Sequence, residues 1–278
     1  MPAGTLYVVA TPLGHLDDLS VRARDTLRSV PLVAAEDTRR IRTLLSHLEA
    51  HPKVISFHSH SPERRQSALL DLLAEGRDVA LVTDAGTPGV SDPGPALVRA
   101  ARTAGFTVVP IPGPSAVATA LSAGGLTADR FLFLGFLPRK GRDRIDLLRR
   151  AVESPETVVL YEAPSRLVDL LADLAAQGGP EREAVVAREL TKVHEEIRAG
   201  TLDALRTYYD STPPRGEITV LLAGTGDRQR RTPLPADLAA QAARLLAEGM
   251  SRKMAVQQLV TEYRVARNDA YRIVTGLG

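Results

Sequence analysis

The sequence predicts an α/β protein with two α/β domains and a small helical domain near its C-terminal end. Short apolar runs alternate with amphipathic segments in the first half, and a second set of such runs begins at FLFLGF (131–136). Helical periodicity then continues from Leu238 onward. A chain of 278 residues is long enough for this arrangement. We therefore predict domains over 1–125, 126–226 and 232–278.

The first domain is predicted to fold around a largely parallel sheet. Its first helix should follow Ser20 as N-cap, because Ala23, Leu27 and Val30 then recur at helical spacing. The four predicted strands are TLYVVAT (5–11), PLVAAE (31–36), VALVT (79–83) and TVVPI (107–111). The other predicted helices run from SPE (61–63), with its proline at the first helical position, to Gly76, from 92 to 105, and from 114 to 124.

The second domain is predicted from four further apolar runs and a leucine-rich helix. The runs are FLFLGF (131–136), TVVLYE (157–162), AVVAREL (184–190) and GEITVLLAG (216–224), and the helical leucines are Leu167, Leu170, Leu171 and Leu174. Residues 224–237 are predicted to form a linker. Beyond it we expect three helices, separated by a turn at 249–251 and a break at 264–268, in the outline of a helix-turn-helix unit.

The composition excludes several classes of protein. No apolar run approaches the roughly 20 residues that span a bilayer, and no basic region precedes the first apolar run, so we expect neither a membrane segment nor a signal peptide. The chain has no cysteine, which excludes disulfides, thiolate zinc sites and thiol catalysis. We expect a cytoplasmic protein.

The basic residues are unevenly distributed. All but four of the 35 are arginine, which either reflects compositional bias or suits recognition of phosphate. Two runs, 139–150 and 228–231, are locally basic and favour a polyanionic partner.

The usual nucleotide and metal motifs are absent. The sequence has neither G-x-G-x-x-G after the first strand nor a P-loop, which argues against the common dinucleotide and nucleoside triphosphate sites. His47 with His51, and His58 with His60, lack an acidic partner at the spacing of a zinc hydrolase. We therefore predict no metal site.

Three loops at predicted strand ends are rich in glycine and proline: ATPLGHLDD (10–18), TDAGTPGVSDPG (83–94) and PIPGPSA (110–116). Ligands in α/β sheets bind beyond the carboxyl ends of strands. Proline fixes the backbone and glycine allows a ligand to approach it closely. Three such loops in strand–helix units predict a site for a ligand with amide-like edges, such as adenine.

A series of motifs in order along the chain resembles the tetrapyrrole methylase superfamily, and within it the 16S ribosomal RNA (cytidine 2′-O)-methyltransferases. The motifs are ATPLGHLDDLS, AAEDTRR, TDAGTPGVSDPG, PGPSA, FLGFLPRK, YEAPSR, ARELTKVHEE and RGEITVLL. The resemblance implies S-adenosylmethionine in a cleft between two α/β domains, and a homodimer. It implies 2′-O-methylation of a cytidine in 16S rRNA of the small ribosomal subunit.

The resemblance also implies the cofactor-binding residues. These are Pro12, Ala85, Gly86, Thr87, Val90, Ser115, Ala116, Glu162, Leu190, Gly216 and Glu217. Related C-methylating enzymes carry GGDP where this chain has AGTP (85–88), which argues against a porphyrinoid substrate.

A carboxylate is expected to take the proton of the ribose hydroxyl. Glu36, which matches an acidic position of the family, is the first candidate and Asp37 the second. Each could instead serve the start of a helix, as a cap or in its first turn.

The predicted RNA-binding residues are basic side chains that could contact phosphate. They are Arg39, Arg139, Lys140, Arg142, Arg144 and Arg166. Asp143 and Asp146 interrupt this patch, so an ordinary solvated helix face is the alternative. Ser165 stands where the family usually has histidine, and no role is assigned to it. The C-terminal helices could dock RNA or only pack.

Two other functions remain alternatives at this point. One is a methyltransferase of the same fold that acts on a small corrin or porphyrinoid precursor. The other is a non-catalytic ribosome-binding protein that retains the cleft.

Overall fold

A computed structural model describes residues 2–58, 61–226, 235–263 and 267–276. His60, the central part of the predicted linker (227–234) and most of the predicted break (264–266) lie outside the described residues.

The first sheet is entirely parallel, with strand order β3-β2-β4-β1-β5. Its strands are β1 (Thr5–Val9), β2 (Leu32–Ala35), β3 (Lys53–Ser56), β4 (Val79–Val82) and β5 (Thr107–Ile111). Strands β2 and β4 are fully buried and apolar, as expected for the centre of a sheet covered on both faces. The predicted parallel α/β domain is confirmed. The edge strand β3 was not predicted, because its KVIS run is short and only half-buried.

Four helices connect these strands, and a fifth follows β5. They are α1 (Val21–Ser29), α2 (Thr38–His47), α3 (Glu63–Ala74), α4 (Pro95–Thr103) and α5 (Ala116–Gly124), with a short 3-10 helix at Leu16–Asp18. The Ser20 side chain accepts a hydrogen bond from the Ala23 N–H at 3.2 Å, so the predicted cap of α1 is confirmed. Three predicted helix starts were wrong. Helix α5 begins at Ala116, after Ser115 as N-cap, and not at 114. Pro62 has an extended backbone and is the N-cap of α3. Helix α4 begins only after Gly94, whose φ of +138° is not helical.

The second sheet is mixed, with order β6-β7-β10-β8-β9. Its strands are β6 (Phe131–Phe136), β7 (Thr157–Glu162), β8 (Glu183–Arg188), β9 (Glu196–Thr201) and β10 (Ile218–Leu222). Only β6 and β7 pair in parallel. The helices are α6 (Arg142–Glu153), α7 (Leu167–Gly178) and α8 (Leu202–Ser211), with a 3-10 helix at Pro164–Arg166. The four predicted leucines of α7 are fully buried. Strand β9 was not predicted.

Helix α5 joins the two sheets. Its Val117, Ala120 and Leu121 belong to an apolar cluster with residues of β7, β8 and β10 from the second sheet. A Cβ at Gly124 would lie 2.4 Å from Leu221 Cδ1, so only glycine permits this close approach. The boundary that we propose at 125/126 falls between α5 and β6.

The C-terminal helices are α9 (Pro235–Ala247), α10 (Arg252–Tyr263) and α11 (Arg267–Thr275). They enclose a core of their own, formed by Leu238, Ala242, Leu245, Ala255, Val256, Leu259, Ala270 and Val274. The predicted helical C-terminal region is confirmed. None of the described helices is long and apolar enough to cross a membrane.

Candidate active site

The loops after β1, β4 and β5 are tied together by hydrogen bonds. Thr11 and Gly86 form an isolated antiparallel bridge, with N–H···O distances of 2.9 and 3.0 Å. The Thr87 hydroxyl donates to the carbonyl of Pro114 at 3.0 Å. The three loops that the sequence analysis grouped together therefore lie at one edge of the first sheet.

A cavity of about 380 Å³ lies between these loops and the second domain, at the end of β7 and the start of β10. The predicted site residues that line it are Glu36, Ala85, Gly86, Thr87, Val90, Ser115, Ala116, Glu162, Gly216 and Glu217. The cavity therefore collects residues from both domains, and each domain contributes both a glycine and carboxylates to its lining.

Three of the predicted cofactor-binding and catalytic residues do not line this cavity. Pro12 is buried between Thr11 and Leu13, of which Leu13 reaches the wall. Leu190 is buried in the apolar cluster between the domains. Asp37 caps helix α2.

Two glycines shape the cavity through their backbone conformation. Gly86 has φ +84° and Gly216 has φ +83°, a region that side chains with a Cβ disfavour. A Cβ at Gly86 would face Leu13 Cδ2 at 3.4 Å, and one at Gly216 would collide with Glu189 Oε1 at 2.0 Å. Both corners thus present main-chain groups to the cavity, which fits a ligand with polar edges such as an adenine nucleoside.

Glu162 provides a carboxylate oxygen that has no hydrogen-bond partner in the part of the chain that the structure describes. Its Oε1 accepts a hydrogen bond from the Ala163 N–H at 2.8 Å and lies 3.3 Å from Arg166 Nη1. Its Oε2 is buried and has no hydrogen-bond partner among the described residues. Burial raises the pKa of this carboxyl. Buried polar atoms are normally satisfied, so this wall fits a ligand that donates a hydrogen bond.

The loop after β8 holds the Gly216 corner in place. The Glu189 carboxylate accepts a hydrogen bond from the Glu217 N–H at 3.0 Å and from Lys192 Nζ at 2.9 Å. Lys192 Nζ also lies 3.2 Å from Glu217 Oε2. Thr191 Oγ1 accepts from the His15 N–H at 3.1 Å, so the same loop contacts the first domain.

Glu36 and Asp92 give the cavity carboxyl groups with raised pKa values. Burial, and then the negative charge of Asp84, raise the pKa of Glu36 above 4.5. Burial, and then the charge of Glu36, raise the pKa of Asp92 from 3.8 to about 7. The Asp92 carboxyl can therefore accept a proton close to neutral pH. No group of three or more His, Cys, Asp or Glu in the described residues is arranged as metal ligands.

Asp84 fixes the corner that carries Glu36. Its Oδ1 accepts a hydrogen bond from the Asp37 N–H at 2.9 Å. Asp37 in turn accepts from the Arg39 N–H and pairs with Arg39 Nη2, both at 2.8 Å. This pairing holds the pKa of Asp37 at about 2. Asp37 therefore has the environment of an ionised helix cap, whereas Glu36 faces the cavity.

Comparison with known proteins identifies the family. The family described as Tetrapyrrole (Corrin/Porphyrin) Methylases matches residues 5–206. The chain belongs to the tetrapyrrole methylase family. Its relatives include proteins named ribosomal RNA small subunit methyltransferase I. The one from Synechocystis sp. is 43% identical over 270 residues, covering 97% of both chains. The one from Pseudomonas aeruginosa is 49% identical over 226 residues, covering 81% of this chain and 80% of the relative.

Solved structures show the same tetrapyrrole methylase fold. A diphthine synthase superposes with a TM-score of 0.64 at 17% identity, covering 79% of this chain and 90% of its own. A uroporphyrin-III C-methyltransferase from Thermus thermophilus, complexed with S-adenyl homocysteine, gives 0.59 at 20% identity, covering 81% and 99%. At these identities the likeness extends to the fold alone.

Several cavity residues of this tetrapyrrole methylase were not assigned from the sequence. They are Leu13, Arg40, Asp84, Ser91, Asp92, Phe136, Tyr161, Ala163, Pro164, Ile218 and Thr219. Asp84 and Asp92 stand in the quoted TDAGTPGVSDPG loop, so two acids beside glycines were an available signal.

An aromatic group borders the cavity. Tyr161 packs edge-on against Phe133, with ring centres 5.0 Å apart, and its ring centre lies 5.4 Å from that of Phe136. Burial raises the pKa of Tyr161 to about 12, so its hydroxyl stays protonated. Phe136 remains 56% exposed although it lines the cavity. An exposed ring at this position offers a stacking surface for a base.

The predicted RNA-binding residues divide into two groups. Arg144 is mostly buried, donates to the Pro138 carbonyl at 3.2 Å and pairs with Asp173 at 2.5 Å. Arg166 donates to the Leu137 carbonyl at 3.0 Å and pairs with Glu162. These two side chains hold the segment between β6 and α6.

The other four predicted RNA-binding residues are exposed: Arg39, Arg139, Lys140 and Arg142. Arg39 pairs with Asp37, and Arg142 lies 3.7 Å from Asp146. The exposed cations remain accessible to phosphate because surface ion pairs are weak.

Proposed function

We propose that this chain transfers a methyl group from S-adenosylmethionine to the ribose 2′-hydroxyl of a cytidine in 16S rRNA. The observation that carries the proposal is the cavity between the domains, in a chain similar to rRNA methyltransferases over most of its length. Gly86, Gly216 and the Glu162 carboxylate all line this cavity. The small-molecule alternative is not favoured, since the likeness to porphyrinoid enzymes extends to the fold alone.

S-adenosylmethionine would be held by both walls of the cavity. Its amino and hydroxyl groups are donors that suit Glu162 Oε2, and its adenine edge suits the corners at Ala85–Thr87 and Ser115–Ala116. When bound, the cofactor supplies a methyl group on a positively charged sulfur. Leu190 and Pro12 support this wall from the buried layer behind it.

Glu36 is the proposed acceptor of the ribose proton. It lines the cavity, and its raised pKa brings its affinity for a proton closer to the operating pH. General-base catalysis contributes about 10²- to 10⁴-fold to the rate. Asp92, which interacts electrostatically with Glu36, is partly protonated near neutral pH and so limits the negative charge around the site.

The RNA is proposed to reach the cavity along the exposed cations Arg39, Arg139, Lys140 and Arg142, with Phe136 beside the entrance. Phosphate contacts supply a large part of nucleic-acid affinity, and an exposed aromatic ring can stack an unpaired base. We further propose that the RNA belongs to the small ribosomal subunit, that the protein acts in the cytoplasm and that it is a homodimer.

The test is methyl transfer from labelled S-adenosylmethionine to small subunits that lack the modification. We expect label in one cytidine whose 3′ linkage resists alkali, because a 2′-O-methyl group blocks that hydrolysis. Label on a base, or none on RNA, would refute the function. Sedimentation of the purified protein tests the dimer separately.

Glu36→Gln tests the proton acceptor, with Asp37→Asn as the matched neighbour. Glu36→Gln should lower kcat about 10²- to 10⁴-fold with unchanged affinity for S-adenosylmethionine. Asp37→Asn keeps a capping oxygen but removes the ion pair with Arg39, so it should lower the unfolding temperature slightly, with kcat nearly preserved. Equal losses of kcat in both variants would indicate that each substitution acts by disturbing the start of helix α2 and that Glu36 does not accept the proton.

A further inference from the structure

The C-terminal helical unit has a groove beside its own core. The groove lies between α10 and α11 and has a volume of about 680 Å³. Val260 and the core residues Val256 and Val274 line it. Thr261 and Thr275 also line it, and their hydroxyls donate to the Gln257 and Tyr271 carbonyls of their own helices. Leu259 and Ala270, which are fully buried, hold the helices together on their inner faces. The groove is therefore left over after the unit has packed.

The charges of this unit are segregated. Arg252, Lys253 and Arg267 border the groove, and none of them pairs with an acid among the described residues. Outside the groove, by contrast, Arg244 pairs with Glu248 at 2.9 Å and Arg272 pairs with Asp269. The charged side chains that line the groove are therefore all positive, whereas acidic residues of the unit, such as Glu248 and Asp269, lie outside it.

Tyr271 provides an aromatic surface at the same groove. Its side chain is 61% exposed, and its ring contacts no other aromatic ring among the described residues. Tyrosine combines an apolar ring with a polar hydroxyl and is enriched at binding interfaces. A ring left open between cations is the combination that binds single-stranded nucleic acid, because bases stack on the ring while phosphates meet the charges.

We propose that this groove is a second RNA-binding site, which takes a single-stranded segment of the RNA substrate at a distance from the methylated ribose. Its cations bind the phosphates, Tyr271 stacks one base, and the hydroxyl oxygens of Thr261 and Thr275 accept hydrogen bonds from the amino groups of bases. This inference rests on the proposed function, and it assigns the C-terminal helices to substrate binding rather than to packing alone.

The test compares two full-length double variants that each remove two positive charges. Lys253→Ala with Arg267→Ala removes charges at the groove, and Arg244→Ala with Arg272→Ala removes charges that are already paired outside it. Binding of protein-free small-subunit rRNA is measured as a function of salt. The groove variant should reduce the slope of log K against log salt by about 1.4, from about 0.7 per lost phosphate contact. The control should leave the slope unchanged.

Tyr271→Ala and Tyr271→Phe separate stacking from folding. Loss of the ring should weaken binding of a short oligouridylate about tenfold, within the range found for stacked bases. Phenylalanine keeps the ring and should restore the affinity. Equal weakening by both variants would overturn the stacking role.

The outcomes distinguish this inference from the proposed function. If the wild type methylates small subunits but the groove variant keeps its KM and salt slope, the groove proposal fails and the function stands. If the groove variant loses affinity for intact subunits but not for protein-free rRNA, the partner is a ribosomal protein and the RNA proposal fails. If the wild type transfers no methyl group to RNA, the function itself fails.

Discussion

Arg40, on helix α2, reaches across the cavity to Glu217 in the second domain. Its Nη1 lies 3.7 Å from Glu217 Oε1, and its Nε lies 3.6 Å from Asp84 Oδ2. Both ends of the pair with Glu217 are more than half exposed, so it should contribute less than about 1 kcal/mol to stability. Its larger effect is electrostatic, because the positive charge of Arg40 lowers the pKa of Glu36.

Arg40→Met should therefore shift the pH dependence of methyl transfer. Glu36 must be ionised to accept the ribose proton, so kcat rises with pH through its pKa. Removing the positive charge raises that pKa further, and the rising limb of the kcat profile should move to higher pH. The measurement is kcat at saturating substrates across the pH range.

Arg39→Met serves as the control for Arg40. Arg39 pairs with Asp37 and does not act on Glu36, so its removal should leave the midpoint of the profile in place. Equal shifts in both variants, or none in Arg40→Met, would show that Glu36 does not take the proton.

The main-chain side of the site could be predicted from the sequence because glycine and proline act locally. The residues of TDAGTPGVSDPG could be placed after a strand, and parallel strands bring such loops to one edge. The bridge between Thr11 and Gly86 realises that expectation. The alternation of strands and helices likewise depends on short-range periodicity, which the sequence displays directly.

The electrostatic side of the site could not be predicted from the sequence. The raised pKa of Asp92 depends on burial and on Glu36, which is distant in the chain and joined only by folding. The positions of Arg144 and Leu190 could not be predicted either, because they too depend on contacts that form only on folding. Arg144 belongs to a basic run, yet it is held by Asp173 on α7, and Leu190 lies behind the cavity because the two domains pack there.

Asp92→Asn should change the pH dependence of stability. Its pKa is raised on folding from 3.8 to about 7, so its contribution to stability is fully present below about pH 4 and is lost as the pH rises through about 7. Asparagine does not ionise, so its contribution to stability does not fall as the pH rises. The variant should match the wild type near pH 4 and unfold at a higher temperature near pH 8.

Asp37→Asn provides a comparison of opposite sign. The pKa of Asp37 is lowered to about 2, so its contribution is present above about pH 4 and is lost as the pH falls through 2. This variant should unfold at a lower temperature near neutral pH. A lower unfolding temperature for Asp92→Asn at pH 8 would show that burial of the ionised Asp92 side chain does not destabilise the protein.

Gly216→Ala should weaken both folding and cofactor binding. A left-handed φ costs a residue with a Cβ about 1–2 kcal/mol, and here the new Cβ also displaces the Glu189 carboxylate from Glu217 and Lys192. We expect a loss of about 2–3 kcal/mol in the free energy of unfolding. Affinity for S-adenosylmethionine should fall at least about tenfold, equivalent to about 1.4 kcal/mol, by calorimetry.

Gly125→Ala measures the cost of a left-handed backbone alone, without a steric clash. Gly125 has φ +71°, and no atom lies within 4 Å of a Cβ built on it. This variant should lose only about 1–2 kcal/mol in urea unfolding and should keep its affinity for the cofactor. Unchanged affinity in Gly216→Ala as well would remove the Gly216 corner from the cofactor site.

The basic segment before and within α6 should separate into RNA-binding and structural residues. Arg139, Lys140 and Arg142 are exposed, so replacing all three with alanine should leave the unfolding temperature nearly unchanged and reduce the salt slope of RNA binding by about 2. Arg144→Ala should instead reduce the free energy of unfolding by about 1.5–3 kcal/mol, because it leaves Asp173 and the Pro138 carbonyl without their donor. The measurements are urea unfolding and salt-dependent binding to small-subunit rRNA. A triple variant that unfolds early but binds RNA normally would mean that the exposed residues serve the fold and that the RNA approaches the cavity from another side.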